Sequence, residues 1–253
     1  MKKNTSRQIM ILQLFDRRRP AWTVEQMRRT LKIPTSTIYR HVRNLVGAQF
    51  LAPVTGAAYA LGPAFIKYES IIHDTDPLIR HADPIMNALL ARSGADCTVM
   101  ISKRFKDCVM CVHEVHGAKA VPSGYGRGVE MPIFAGATSK AILAQLSARA
   151  LKSLYLENHV AIRRRLKIRD WNEFAAIVKQ IRKAGYVVTK GEVTANRVGI
   201  AAPITRHGRP VASLTLSGNK WGERRIAEAV PVVRKAADEI SASLSRDRTL
   251  ISR

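Results

Sequence analysis

The chain has 253 residues, enough for one large domain or two modest ones. Its 42 Lys/Arg against 19 Asp/Glu give a formal net charge of +23, while 46% apolar residues set it among globular rather than disordered chains. No run of about 18 apolar residues predicts a membrane span. The N-terminal apolar stretch, interrupted by Gln13 and closed by Asp16-Arg17-Arg18-Arg19, is too short and wrongly flanked for a secretory signal. Three cysteines argue against a disulfide scaffold and for the cytoplasm.

A charge this large concentrates polyanions without choosing between nucleic acid and an anionic membrane, and a generally basic proteome would also account for it. Residues 1–73 carry 12 Lys/Arg against 3 Asp/Glu, and residues 74–253 carry 30 against 16, so charge alone does not locate a site.

The first sixty residues predict three short helices and a hairpin. A helix runs from Ser6 to Phe15 and stops before Pro20, whose predecessor resists the helical conformation. Thr23, with Gln26 three positions on, predicts a capping box opening a helix that buries Val24, Met27 and Leu31. Pro34 suits a first helical position, and Ile38, Val42 and Leu45 at i, i+4, i+7 give the next helix its buried stripe. Two short strands, residues 50–54 and 58–61, flank a Thr55-Gly56-Ala57 turn. Gly62-Pro63 then punctuates the chain before a connecting helix over 64–75. The predicted organisation is residues 1–63 as one domain, 64–76 as a linker helix and 77–253 as a second domain. There, helices are expected at 77–93, 138–156, 171–184 (Asp170 cap, Glu173 completing a capping box) and 224–244. Strand-like runs fall at 97–102, 108–115, 186–189, 198–204 and 211–216. Elements in this order predict an α+β fold with a mainly antiparallel sheet.

Helix, short turn, helix and hairpin is the winged helix-turn-helix arrangement. At 100° per residue, Ile38, Val42 and Leu45 share one side of the second helix, while Ser36, Arg40 and Arg43 fall near the opposite pole with Thr37, Tyr39 and Asn44 beside them. That outer face has no acid. Its guanidiniums suit the major-groove edge of guanine, and Thr35, Ser36 and Thr37 at the helix start suit phosphate. Arg17, Arg18 and Arg19 fit phosphate contacts, though a solvated turn explains them equally well. The turn between the hairpin strands has no basic residue, so insertion of a wing into the minor groove is not expected.

Residues Leu31-Lys-Ile-Pro-Thr-Ser-Thr-Ile-Tyr-Arg40, Leu45, Phe50-Leu51 and Tyr59-Ala-Leu-Gly62 resemble the N-terminal domain of IclR-type bacterial transcriptional regulators. Three later blocks resemble that family's effector domain in the same order: Gly128 to Ala144, Gly185-Tyr186 with Gly199 to Ile204, and Pro210 to Gly218. The resemblance implies a GAF-like effector-binding domain for the second half, and a small organic or aromatic acid as effector. Carried over by position, it implies a pocket of Ala120, Ser123, Ala137, Thr138, Thr189, Gly199, Thr215 and Ser217. Small residues and hydroxyls of this kind also simply allow tight helix–sheet packing. Where relatives carry an acid at the Thr189 position, this chain has Thr189-Lys190-Gly191 and retains only Glu192, which implies a roomier, less acidic pocket; Arg197 and Arg127 favour an acid ligand. The family also implies a homodimer or a dimer of dimers on a double-stranded DNA operator.

Cys108, Cys111, His113 and His116 invite a zinc reading. On a strand, however, Cys108 and Cys111 face opposite ways, as do His113 and His116, so no metal site, catalytic residue or cofactor is expected. Phosphate-loop and hydrolase signatures are missing from the sequence. A metal-dependent hydrolase with an appended nucleic-acid-binding module is the alternative to a ligand-responsive, non-enzymatic regulator.

Overall fold

The computed structural model describes residues 5–106, 108–122 and 124–247. The chain divides into two compact units, Met1–Asp76 and Pro77–Arg253. The first contains α1 (Arg7–Leu12), β1 (Ala21–Thr23), α2 (Val24–Leu31), α3 (Thr35–Gly47), β2 (Leu51–Val54), β3 (Ala58–Leu61) and α4 (Ala64–Thr75). Ile11, Trp22, Met27, Ile38, Val42, Leu45 and Leu51 form its core. Burying one such side chain contributes roughly 1.5–3 kcal/mol, which drives helices this short to fold together rather than alone.

Thr23 both ends β1 and caps α2: its hydroxyl accepts from Gln26 N at 3.2 Å, and Gln26 Oε1 accepts from Thr23 N at 3.1 Å. β1 escaped the sequence pattern because three residues show no periodicity; it pairs antiparallel with β3, giving the order β1-β3-β2. α1 stops at Leu12 rather than Phe15, because Leu14 and Phe15 donate to carbonyls three residues back and tighten the chain into a turn. Pro34 is the N-cap of α3 rather than its first helical residue, so the helix starts at Thr35, one position later than expected. The start of α4 is docked on the hairpin. The Phe50 ring meets Phe65 edge-on at 5.4 Å and stacks on Tyr68 at 5.8 Å. Gly62 allows this approach, since a Cβ there would lie 2.2 Å from the Gln49 carbonyl oxygen.

The second unit contains α5 (Pro77–Ser93), β4 (Thr98–Phe105), β5 (Cys108–His116), β6 (Glu130–Pro132), α6 (Gly136–Leu143), α7 (Ala148–Leu166), α8 (Trp171–Ala184), β7 (Val187–Lys190), β8 (Arg197–Arg206), β9 (Arg209–Asn219) and α9 (Glu223–Arg246). Its six-stranded sheet is antiparallel throughout, in the order β6-β5-β4-β9-β8-β7, so the fold is α+β as expected. Alternation along the strands gives the sheet two unlike faces. Val99, Ile101, Val198, Ile200, Ala202, Leu214 and Leu216 join α5 and α9 in the main core. Thr98, Met100 and Ser102 on β4 lie across from Ser217, Thr215 and Ser213 on β9 and share the other face.

The helix expected over 138–156 is two helices. Arg182 of α8 donates through Nε to the Ala144 carbonyl and through Nη2 to the Leu146 carbonyl, each at 2.8 Å, closing off α6 from a distance. Ser147 then accepts from Ala150 N and caps α7. No local periodicity reveals a stop made by a side chain 36 residues away. Asp170 caps α8 as expected, but the Glu173 carboxylate accepts from Arg169 N at 2.7 Å, so the expected box is displaced by one residue.

Candidate functional site

In α3, Ile38, Val42 and Leu45 are buried and Thr35, Ser36, Tyr39, Arg40, Arg43 and Asn44 are exposed, with Thr37 between. Tyr39 is 56% exposed. The side chains of Arg40 and Arg43 make no hydrogen bond or ion pair with the described residues. With proline as N-cap, no side chain caps the first turn, so its N–H groups are open to an anion. The one acid of α2, Glu25, is held by Arg28 and Arg29 at 2.7 and 2.8 Å, and their hydrogen bonds lower its pKa to about 2. The outer face therefore presents donors, hydroxyls and net positive charge.

Asp16 shapes the arginine turn by accepting from Arg18 N and Arg19 N, both at 2.7 Å. All three arginines are exposed. The Arg19 guanidinium lies 3.5 Å from the centre of the Trp22 ring, so this side chain is held by stacking while Arg18 extends into solvent. Behind the outer face of α3, both ring nitrogens of His41 are buried and lack a hydrogen-bond partner. Burial, then Arg40 and Arg7, push its pKa below the ordinary value and keep the ring neutral.

In the second unit, six of the eight expected pocket residues come together. Ala137, Thr138, Thr189, Gly199, Thr215 and Ser217 line one cleft of about 500 Å³, mouth included, between the sheet and the start of α6. Ala120 does not line it; it sits in a turn, donating to the Gly117 carbonyl at 2.9 Å. Ser123 lies outside the described residues. Thr215 and Ser217 are only 3% and 4% exposed, and Thr138 Oγ1 is 2.9 Å from Thr215 Oγ1. Gly199 leaves room because its Cβ position, 3.3 Å from Ala137 Cβ, holds no side chain.

The charges of the cleft are arranged unequally. Arg197 donates from Nη2 to Ser217 Oγ at 2.9 Å and from Nη1 to the Val121 carbonyl at 2.7 Å. No carboxylate among the described residues hydrogen-bonds it, and burial pulls its pKa below the usual value, although a guanidinium remains charged. Glu192, by contrast, is paired with a cation. Its carboxylate accepts from Lys140 Nζ at 2.6 Å and from Gly136 N, the first N–H of α6, at 3.3 Å. Arg165 Nη2 also donates to the Glu192 carbonyl. The retained acid thus caps the helix, and the unmatched charge in the cleft is positive. Arg127 is elsewhere, its backbone N donating to Glu114 Oε1 at 3.1 Å.

Sequence reasoning missed Met100, Tyr125, Met131, Ala135, Val193 and Thr194, which also line the cleft. Met100 had a signal: it shares the parity of Thr98 and Ser102, opposite the Val99-Ile101 core face. Tyr125 and Val193 come from irregular loops and had none. Among the described residues no three His, Cys, Asp or Glu gather to hold a metal. The Cys111 thiol, pushed up to about 12 by burial, is an inert core group.

Comparisons with known proteins agree with this architecture. The family description "Bacterial transcriptional regulator IclR C-terminal" matches residues 71–242, and "IclR helix-turn-helix domain" matches residues 5–54. The HTH-type transcriptional regulator KipR of Bacillus subtilis (strain 168) is 24% identical over 242 residues, covering 94% of this chain and 96% of KipR. The HTH-type transcriptional repressor AllR of Escherichia coli (strain K12) is 26% identical over 244 residues, covering 94% and 89%. An IclR homologue from Microbacterium hydrocarbonoxydans, crystallised with 4-hydroxybenzoate, shares the fold at a TM-score of 0.75 and 20% identity, covering 95% of this chain and 98% of that one. With its helix-turn-helix unit and the larger unit behind it both matched in order, the chain belongs to the IclR family of bacterial transcriptional regulators.

Proposed function

We propose that this regulator reads double-stranded DNA with the outward face of α3 and responds to an organic acid held in the cleft between α6 and the sheet. In this reading residues 1–63 are the DNA-binding domain, 64–76 the connection and 77–253 the sensor. Arg40, Arg43 and Asn44 address base edges, with Tyr39 beside them. Thr35, Ser36, Thr37 and Arg17–Arg19 address phosphates. Arg197, Thr138, Thr215 and Ser217 hold the effector's acid group against a floor left open by Gly199. The protein is not an enzyme, works in the cytoplasm where its operator is, and acts as a homodimer or dimer of dimers whose paired α3 helices meet a palindromic site.

The observation that supports the effector class best is Arg197, a half-buried guanidinium with hydroxyl and carbonyl partners and no carboxylate. A buried cation lacking a counter-charge favours an anionic ligand. The 4-hydroxybenzoate in the Microbacterium homologue is an acid of the same class.

The test uses the full chain. 4-Hydroxybenzoate and other small carboxylic acids should raise its melting temperature, by about 2.7 kcal/mol of stabilisation when ligand is at 100 times Kd. The same acids should change its footprint on a specific DNA site. Absence of any acid-dependent shift would overturn the effector reading, and chelator-sensitive turnover would favour the hydrolase alternative.

A further inference from the structure

The cleft that holds Arg197 does not end at its own mouth. A second cleft, about 1070 Å³ with its opening, is lined by four of the same residues, Tyr125, Met131, Ala135 and Val193, and so adjoins the first. These four form an apolar throat. Beyond it the wall carries Arg164 and Arg165 from the last turn of α7, and Lys167 just past its end. No acidic residue lines this outer compartment.

The three cations are not spent on carboxylates. The side chains of Arg164 and Lys167 form no hydrogen bond or ion pair with the described residues, and Arg165 uses one guanidinium nitrogen on the Glu192 carbonyl. Cations at a helix C-terminus are favourable for the dipole alone, and that would explain the Arg163–Arg165 run. It does not explain why two of them, with a lysine in a left-handed conformation (φ 54°), line one side of a concavity continuous with the effector cleft. Like charges gathered around a cleft raise the local concentration of an anion.

We infer that the two clefts form one binding site for an elongated dianionic organic acid. One anionic group meets Arg197, an apolar spacer passes Tyr125 and Met131, and the second anionic group meets Arg164, Arg165 and Lys167. This rests on the reading of the inner cleft as an acid site and adds the effector's length and second charge. A small monoacid fills only the inner half.

The test measures binding of straight-chain monocarboxylates and α,ω-dicarboxylates of matched length to the full chain by calorimetry. At the length that spans the throat, the dicarboxylate should bind about tenfold more tightly than its monocarboxylate partner. In R164A/K167A that advantage should fall to within about twofold while monocarboxylate binding stays unchanged. R163A, which removes the same kind of charge outside the cleft, should keep the advantage. Melting temperatures establish that each variant is folded. Monocarboxylates binding as tightly as dicarboxylates at every length overturns the second compartment and leaves the inner acid site standing. If neither series binds, both fall. If R164A/K167A weakens DNA affinity and leaves the dicarboxylate advantage intact, the basic wall is a phosphate-contact patch and the inference is wrong.

Discussion

The outer face of α3 and the cleft-side face of the sheet use nearly the same chemistry, hydroxyls beside guanidinium, and differ in how far they are withdrawn from water. Tyr39, Arg40 and Arg43 stand in solvent with no partner among the described residues, whereas Thr215 and Ser217 are buried and Arg197 is fixed by three hydrogen bonds. An exposed array suits a large, rigid polyanion, where many weak contacts add and salt competes. An enclosed array suits a small molecule, where one well-placed charge in a low-dielectric site dominates. Residue type alone does not separate the two; burial does.

That contrast can be broken by substitution. The largest effect is expected at the enclosed site: Arg197→Met should weaken acid binding about 100-fold, near the cost of losing a charge-assisted hydrogen-bonded pair, without changing DNA affinity in the absence of ligand. Calorimetry with 4-hydroxybenzoate and a gel-shift series measure the two halves, and equal acid affinity in the variant would remove Arg197 from the site. Next, Arg40→Ala should lower operator over non-operator preference by about 1–3 kcal/mol, read by competition binding. A uniform loss across sequences would instead make Arg40 a phosphate contact. Arg18→Ala should weaken all DNA about equally and reduce the salt slope of log K by roughly 0.9, measured by titration at several salt concentrations.

The smallest expected effect concerns His41 behind the outer face of α3. Its folded pKa lies below the unfolded one, near 6.5. The unfolded chain therefore takes up the proton first, and stability is fully present above the ordinary histidine range. It declines as pH falls from there toward the lowered folded value. His41→Leu should flatten that decline in melting temperature relative to the parent chain. An equally steep decline would mean that other groups carry it.

Much of this was legible in the sequence because local rules set it. The 3.6-residue spacing of Ile38, Val42 and Leu45 fixed which side of α3 faces out, while Thr215 and Ser217 of the cleft were reached through the family resemblance rather than a local period. What was hidden is what distant side chains impose. Arg182 divides α6 from α7, and Glu192 occupies the N–H of Gly136. Each is a pairing across many residues or between irregular segments, where no period exists to read. The second basic compartment belongs to the same class, since α7, the Tyr125 loop and Val193 converge only in three dimensions.

The pleat of β9 has one more consequence. Because cleft-side and core-side residues alternate between Ser213 and Ser217, gaining or losing a single position there would invert the strand. Leucines would then face the cleft and hydroxyls the side chains of α5 and α9. Exchanging side chains at fixed length changes the cleft face of β9 without disturbing its core face.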